Sequence, residues 1–240
     1  MRYVISKTVS AFFWFNLVLA SGSAFAARPL NTDDANVVDP QSCQDESWVK
    51  KSKTSIERWI VPGCNFFGDT EISVGANFQS DTGLESAQYH LLQAKKRWRV
   101  LEQDSWGLST TLGTLQHTSR VASETVDDVY VNVPITWSMG EDRFTHLNLG
   151  WVKHQAQGYG AKTWGLAFEQ PFNSHVIGIL ETYGEEKQSS KYQVGLRFWI
   201  IPQRVQIDTT LGNVWGPSGH GALNQRWFSM GLRLLSPALY

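Results

Sequence analysis

Residues 190–202 read "SKYQVGLRFWIIP". Tyr192, Val194, Leu196, Phe198 and Ile200 share one side of an extended chain, and Gln193, Gly195, Arg197 and Trp199 share the other. A period of two belongs to a β-strand, whose successive side chains point to opposite faces. The position of Arg197 separates two folds. In a soluble sandwich the apolar side meets a protein core and Arg197 meets water. In a membrane barrel the apolar side meets lipid, and Arg197 points into an enclosed lumen where it requires a partner.

The same habit continues along the chain. From Cys43 onward, alternating segments are separated by turn formers, and the spacing predicts strands near 43–52, 55–63, 69–79, 84–98, 105–117, 125–138, 143–154, 161–170, 174–184, 190–201, 204–214 and 224–235. No 3.6-residue stripe of comparable length competes. The even count predicts an all-β fold, a transmembrane antiparallel up-and-down β-barrel of about 12 strands. The connections "PGCNFFG", "GED", "QPFN" and "PQ" are short and rich in turn formers, whereas "TSRVASE", "QAQGYG", "GEEKQSS" and "GPSGHGALN" are longer and polar. Short turns on the periplasmic side put both termini there as well. The stretch "LQAKKRWRVLEQD" at 92–104 breaks the pattern by placing charge where a strand should end.

Composition narrows the function classes. The chain carries 21 Lys plus Arg against 22 Asp plus Glu with no basic cluster, so nothing in its charge favours nucleic acid as a partner. A mean hydropathy of −0.27 without a second long apolar run excludes a helical membrane protein and leaves a barrel, whose strands hide hydrophobicity in alternation. Eleven Trp, twelve Phe and seven Tyr would supply aromatic girdles, although a sandwich core could also use some of them. At the start, Arg2 and Lys7 precede the apolar run "AFFWFNLVLA" and then "AFA" at Ala24 to Ala26. This order predicts a secretory signal peptide over 1–26, cleaved before Ala27, because the apolar run is far short of the ~20 residues that span a bilayer. The expected destination is the outer membrane of a Gram-negative cell. The polar stretch 27–42, with two prolines, is a periplasmic N-terminal segment or plug, and 43–240 is the barrel.

Register offers an independent test. A two-residue turn at Pro202 and Gln203 sets Leu196 opposite Thr209, Phe198 opposite Ile207 and Ile200 opposite Val205, and it places Arg197 across from Asp208. With "GED" as a three-residue turn, Ile135 faces Leu147, Val133 faces Leu149, Val131 faces Trp151, Thr136 faces His146 and Pro134 faces Asn148. One face is then apolar and the other polar. Cys43 and Cys64 are the two cysteines, and an oxidising compartment permits a disulfide between them. If they pair across a hairpin with Lys53 and Thr54 at its tip, Trp48 meets Trp59 and Lys50 meets Glu57, both favourable cross-strand combinations.

The residues that could carry chemistry are few. Arg197, Asp208, Glu181, Arg233 and Glu169 fall on the mixed-polarity faces of their strands and form an expected lumen charge network. Such a group either selects solutes by charge or fills a closed barrel with salt bridges. Trp199, Tyr130 and Phe144 share the inward face. No G-x-S-x-G elbow occurs, Ser109 and Ser229 are isolated, and His146 sits on a polar face, so no catalytic residue is assigned. Asp33 and Asp34 lack the further donors of a Ca²⁺ site, read as a solvated turn, and imply neither metal nor cofactor.

"ARPLNTDDANVVDPQSCQDESWV" at 27–49, together with "RWFSMGLRLLSP" at 226–237, resembles a family of uncharacterised proteobacterial outer-membrane proteins that begin with an Arg-Pro-Leu-x-Thr-Asp-Asp-Ala motif. The family is loosely grouped with transporters proposed for meta-cleavage phenol-degradation pathways. The motif at Arg28 to Ala35 carries the likeness, which implies an outer-membrane barrel with a transport role. One departure is the terminal "SPALY", where barrel proteins usually finish on a strand ending in an aromatic residue; the assembly signal is then expected at Phe228 to Leu234. The expected function is a passive pore for small solutes, with a structural or anchoring barrel and an outer-membrane lipid enzyme as alternatives. The expected partners are outer-membrane lipid, the barrel-assembly machinery and small solutes.

Overall fold

A computed structural model describes residues 30–82, 87–118, 126–216 and 225–239. Twelve strands run in sequence: β1 (Cys43–Ser52), β2 (Ser55–Asn65), β3 (Thr70–Asp81), β4 (Ala87–Arg99), β5 (Trp106–Thr118), β6 (Val126–Ser138), β7 (Phe144–His154), β8 (Tyr159–Pro171), β9 (Val176–Glu185), β10 (Lys191–Ile201), β11 (Val205–Val214) and β12 (Trp227–Leu235). Each strand pairs with its neighbours in sequence, and β1 pairs antiparallel with β12 to close the barrel. Closure leaves no edge strand open to pairing. The expected signal peptide, the loop within "TSRVASE", most of "GPSGHGALN" and the residues just before β4 lie outside the described residues.

Side chains alternate as the sequence requires. Along β12, Trp227, Ser229, Gly231 and Arg233 are buried inside while Phe228, Met230, Leu232 and Leu234 face out. The outward set elsewhere includes Leu92, Leu112, Leu149, Leu180, Val194 and Leu211, all exposed. Around this apolar belt lie exposed aromatic residues. Trp98, Trp106, Trp137 and Phe172 sit toward the rim that carries both termini, and Trp151, Trp164 and Trp215 sit toward the opposite, distal rim. Rings at two levels with an aliphatic band between them match a membrane interface on either side of a hydrocarbon core. A soluble sandwich would hide these side chains.

The registers of β6 with β7 and of β1 with β2 are those read from the sequence. Ile135 pairs with Leu147, Val133 with Leu149 and Thr136 with His146, while Cys43 pairs with Cys64, Trp48 with Trp59 and Lys50 with Glu57. Arg197 pairs with Asp208 and Leu196 with Thr209 as expected, but Ile201 rather than Ile200 meets Val205. The turn is longer than Pro202 and Gln203 alone. Arg204 N donates to Ile201 O at 3.0 Å, Gln203 takes a positive φ of 58°, and an irregularity after Trp199 absorbs the extra residue.

Other boundaries shift for identifiable reasons. β2 continues through Cys64 to Asn65 because those residues pair with Ile72 and Glu71. β4 runs on through the charged stretch to Arg99, since its charges alternate too: Lys95 points inward, while Lys96 meets Asp69 of the turn between β2 and β3 at the rim. That hydrogen bond from Lys96 holds the Asp69 carboxyl below the usual carboxylate range. Pro134 lies in β6, and the pairing of β5 with β6 skips from Leu108↔Ile135 to Thr111↔Asn132 around it. A proline has no N–H to give the ladder.

Candidate functional site: a stoppered lumen

Residues 30–38 of the polar stretch before β1 lie inside the barrel. Leu30, Thr32, Asp34, Ala35, Asn36, Val37 and Val38 are all buried. Interior side chains from several strands hold this segment rather than a strand ladder. Its backbone N–H groups donate from Asn31 to Glu181 Oε1 at 2.8 Å, from Asp33 to Asn148 Oδ1 at 2.8 Å, from Ala35 to Thr136 Oγ1 at 2.8 Å and from Val38 to Glu71 Oε2 at 2.9 Å. Asn148 Nδ2 donates in turn to Asp33 O at 2.7 Å, and Asn65 Nδ2 to Val38 O at 2.7 Å. Glu71 and Asn65 sit at the terminal rim, and Glu181 lies deeper, so the segment rises from that rim into mid-barrel.

Asp33 and Asp34 are therefore not a solvated turn. Asp34 is 2% exposed, and Lys95 Nζ lies 3.0 Å from Asp33 Oδ1 and 3.3 Å from Asp34 Oδ1. The burial of two carboxylates is tolerable because an ammonium faces them. Glycine makes room for the segment at β8. A Cβ on Gly165 would stand 2.5 Å from Thr32 Oγ1 and 3.3 Å from Thr32 Cβ.

The five charged residues singled out in the sequence occupy three places. Arg197, Asp208 and Glu169 meet: Nη1 of Arg197 donates to Glu169 at 2.7 and 2.8 Å, and Nε donates to Asp208 Oδ1 at 3.1 Å. All three are buried, with His146 Nε2 at 3.6 Å from Glu169 and His146 Nδ1 at 2.9 Å from Thr136 Oγ1. Glu181 is apart from them, accepting from the N–H groups of Asn31 and Thr32 and from Gln193. Arg233 is apart as well, bonded to Gln44 at 2.8 Å and 3.6 Å from Glu46. Phe144 is buried inside, and Tyr130 OH donates to Gln93 Oε1 at 2.7 Å.

Above the segment, toward the distal rim, the lumen opens into a vestibule of about 440 Å³ with Asn31 and Asp33 at its floor. His154 spans two carboxylates there, with Nδ1 2.9 Å from Asp128 Oδ2 and Nε2 2.8 Å from Glu185 Oε1. Trp59 lines the wall, stacked on Trp48 with ring centroids 5.4 Å apart and planes 12° from parallel. Among the described residues, no group of three or more His, Cys, Asp or Glu is disposed to hold a metal ion.

A disulfide joins Cys43 and Cys64 across β1 and β2, at the terminal rim where the segment leaves the lumen. Gln41 N donates to Asn65 O at 2.8 Å and Asn65 N to Ser42 O at 3.0 Å, so the exit is tied to β2 on both sides of its backbone. Sequence reasoning missed Lys95, Thr136, Asn148, Asn65 and Glu71 as holders of the segment. The available signal was complementarity between an unexplained acidic pair at 33–34 and a lysine on an inward strand position at 95.

A family profile covers residues 15–235, described as "Uncharacterised conserved protein UCP029691". The chain belongs to that family. No curated protein matches the sequence. Among solved structures, the chain is similar to the KdgM porin in complex with disordered oligogalacturonate, with a TM-score of 0.60 at 8% identity, covering 80% of this chain and 98% of that one. The NanC porin gives a TM-score of 0.56 at 11% identity, with the same coverage of 80% and 98%. At such identities the likeness is one of fold, a closed twelve-strand barrel.

Proposed function

We propose that the chain is a pore for small solutes in the Gram-negative outer membrane, closed in this state by residues 30–38 of its own N-terminal segment. The observation that carries the reading is the way the stopper is held. It rests on side-chain hydrogen bonds and one lysine latch, so it can leave without breaking a barrel strand. The belt of outward aliphatic and aromatic residues supports the membrane setting, with the terminal rim toward the periplasm and the vestibule toward the outside. The motif at Arg28 to Ala35 adds small phenolic compounds to the solutes worth testing.

A structural barrel without transport is the second reading, favoured by the salt-bridged lower lumen around Arg197. Lipid hydrolysis has less support: His146 and His154 point inward, and the outward His90 lies between Ala76 and Gln116, neither of which offers a nucleophile. Planar-bilayer recording of refolded residues 27–240 separates these readings. Discrete conductance steps are expected; a silent membrane supports the structural barrel, and release of fatty acid from phospholipid vesicles brings back the enzyme.

A further inference from the structure

Resting on the pore reading above, we propose that the distal vestibule binds a neutral saccharide and turns polyanions away. A polyanion needs cations that can face it, and most inward cations of the described barrel already face carboxylates. Lys50 lies 3.3 Å from Glu57, Lys95 latches Asp33 and Asp34, Arg197 joins Glu169 and Asp208, and Arg233 lies 3.6 Å from Glu46. At the vestibule itself His154 is held between Asp128 and Glu185. Lys191 sits with its Nζ 5.9 Å from the centroid of the Tyr183 ring. An entering polyanion would meet three carboxylates, Asp33 at the floor and Asp128 and Glu185 on the wall, against His154 and Lys191.

What the wall offers instead suits an uncharged ring bearing hydroxyls. A pyranose has an apolar face of C–H groups, and the aromatic side chains of Trp59 and Tyr183 line the same space. Its hydroxyls both donate and accept, and so do the amides of Asn31, Gln93, Asn132 and Gln188 around the same space. A volume of about 440 Å³ is within the range of small-ligand sites and is sufficient for a disaccharide.

The test is calorimetric titration of refolded residues 27–240, in a detergent without a sugar headgroup, with maltose, digalacturonate and spermidine in turn. Saturable binding of maltose alone is expected. Trp59→Ala should weaken it about tenfold, Trp59→Tyr should recover most of the loss, and Gln188→Ala, at an exposed turn that does not bear on folding, should weaken it about threefold. Folding of each variant is checked by its unboiled gel mobility. Binding of digalacturonate or spermidine in place of maltose, maltose binding indifferent to the folded variants, or no binding at all overturns the assignment. Maltose binding with silent bilayers retires the pore and leaves the saccharide site; conductance steps without maltose binding do the reverse.

Discussion

Arg197 shows what a single register can carry. With Glu169 and Asp208 both against it, Arg197→Ala leaves two buried carboxylates without their cation, whereas Asp208→Ala leaves Arg197 still paired with Glu169. Loss of one partner of a buried pair costs about 3–5 kcal/mol, so both variants should lower the temperature at which the folded gel band disappears, Arg197→Ala by more. The double variant should lose less than the sum of the singles. Additive, small shifts would mean that the three side chains do not act together. Asp208 was legible in the sequence because a turn at Pro202 couples adjacent strands directly. Glu169 was read as a lumen charge but not as a partner of Arg197, since it lies on β8 and Arg197 reaches it past β9, where Ile177 is its neighbour. Adjacent-strand rules say nothing about contacts that skip a strand.

At the scale of elements, the strands could be read because alternation repeats in each of them, and their ends moved by a few residues, outward where pairing extended them as at β2 and inward at the starts of β9 and β12. The inner segment was harder. Polar, proline-bearing sequence predicts a lack of strand, and its partners lie between 27 and 150 residues away. Gly165 offers a way to disturb the stopper without altering it. Gly165→Val sets a branched side chain where Thr32 now sits, and the barrel should stay closed around it while the open fraction in bilayer recordings rises severalfold. Unchanged recordings would show that Thr32 is not part of the barrier. The disulfide gives a second check at this scale. Non-reducing peptide mapping of protein purified without reductant should find one Cys43–Cys64 link. Its 21-residue separation stabilises the first hairpin by ~3 kcal/mol in the chain-entropy view, so reduction should lower the heat transition of the gel band.

The whole molecule should partition with outer membranes and migrate faster on SDS gels unboiled than boiled, because a closed ladder resists detergent until heated. Recovery in the soluble periplasmic fraction without a heat-dependent shift would rule the barrel assignment out of the membrane. Solute identity was not legible in the sequence, because no strand by itself shows which inward groups share one space. One consequence follows from the stopper being continuous with β1 through Ser42. Its docking is unimolecular, at an effective concentration of about millimolar for a tether this short. Opening and closing should therefore be independent of protein concentration, and a weak lock of a few hydrogen bonds, each worth about 0.5–1.5 kcal/mol, is enough to keep the closed state dominant. A detached peptide of the same sequence would have to be supplied at about millimolar concentration to compete for the same seat.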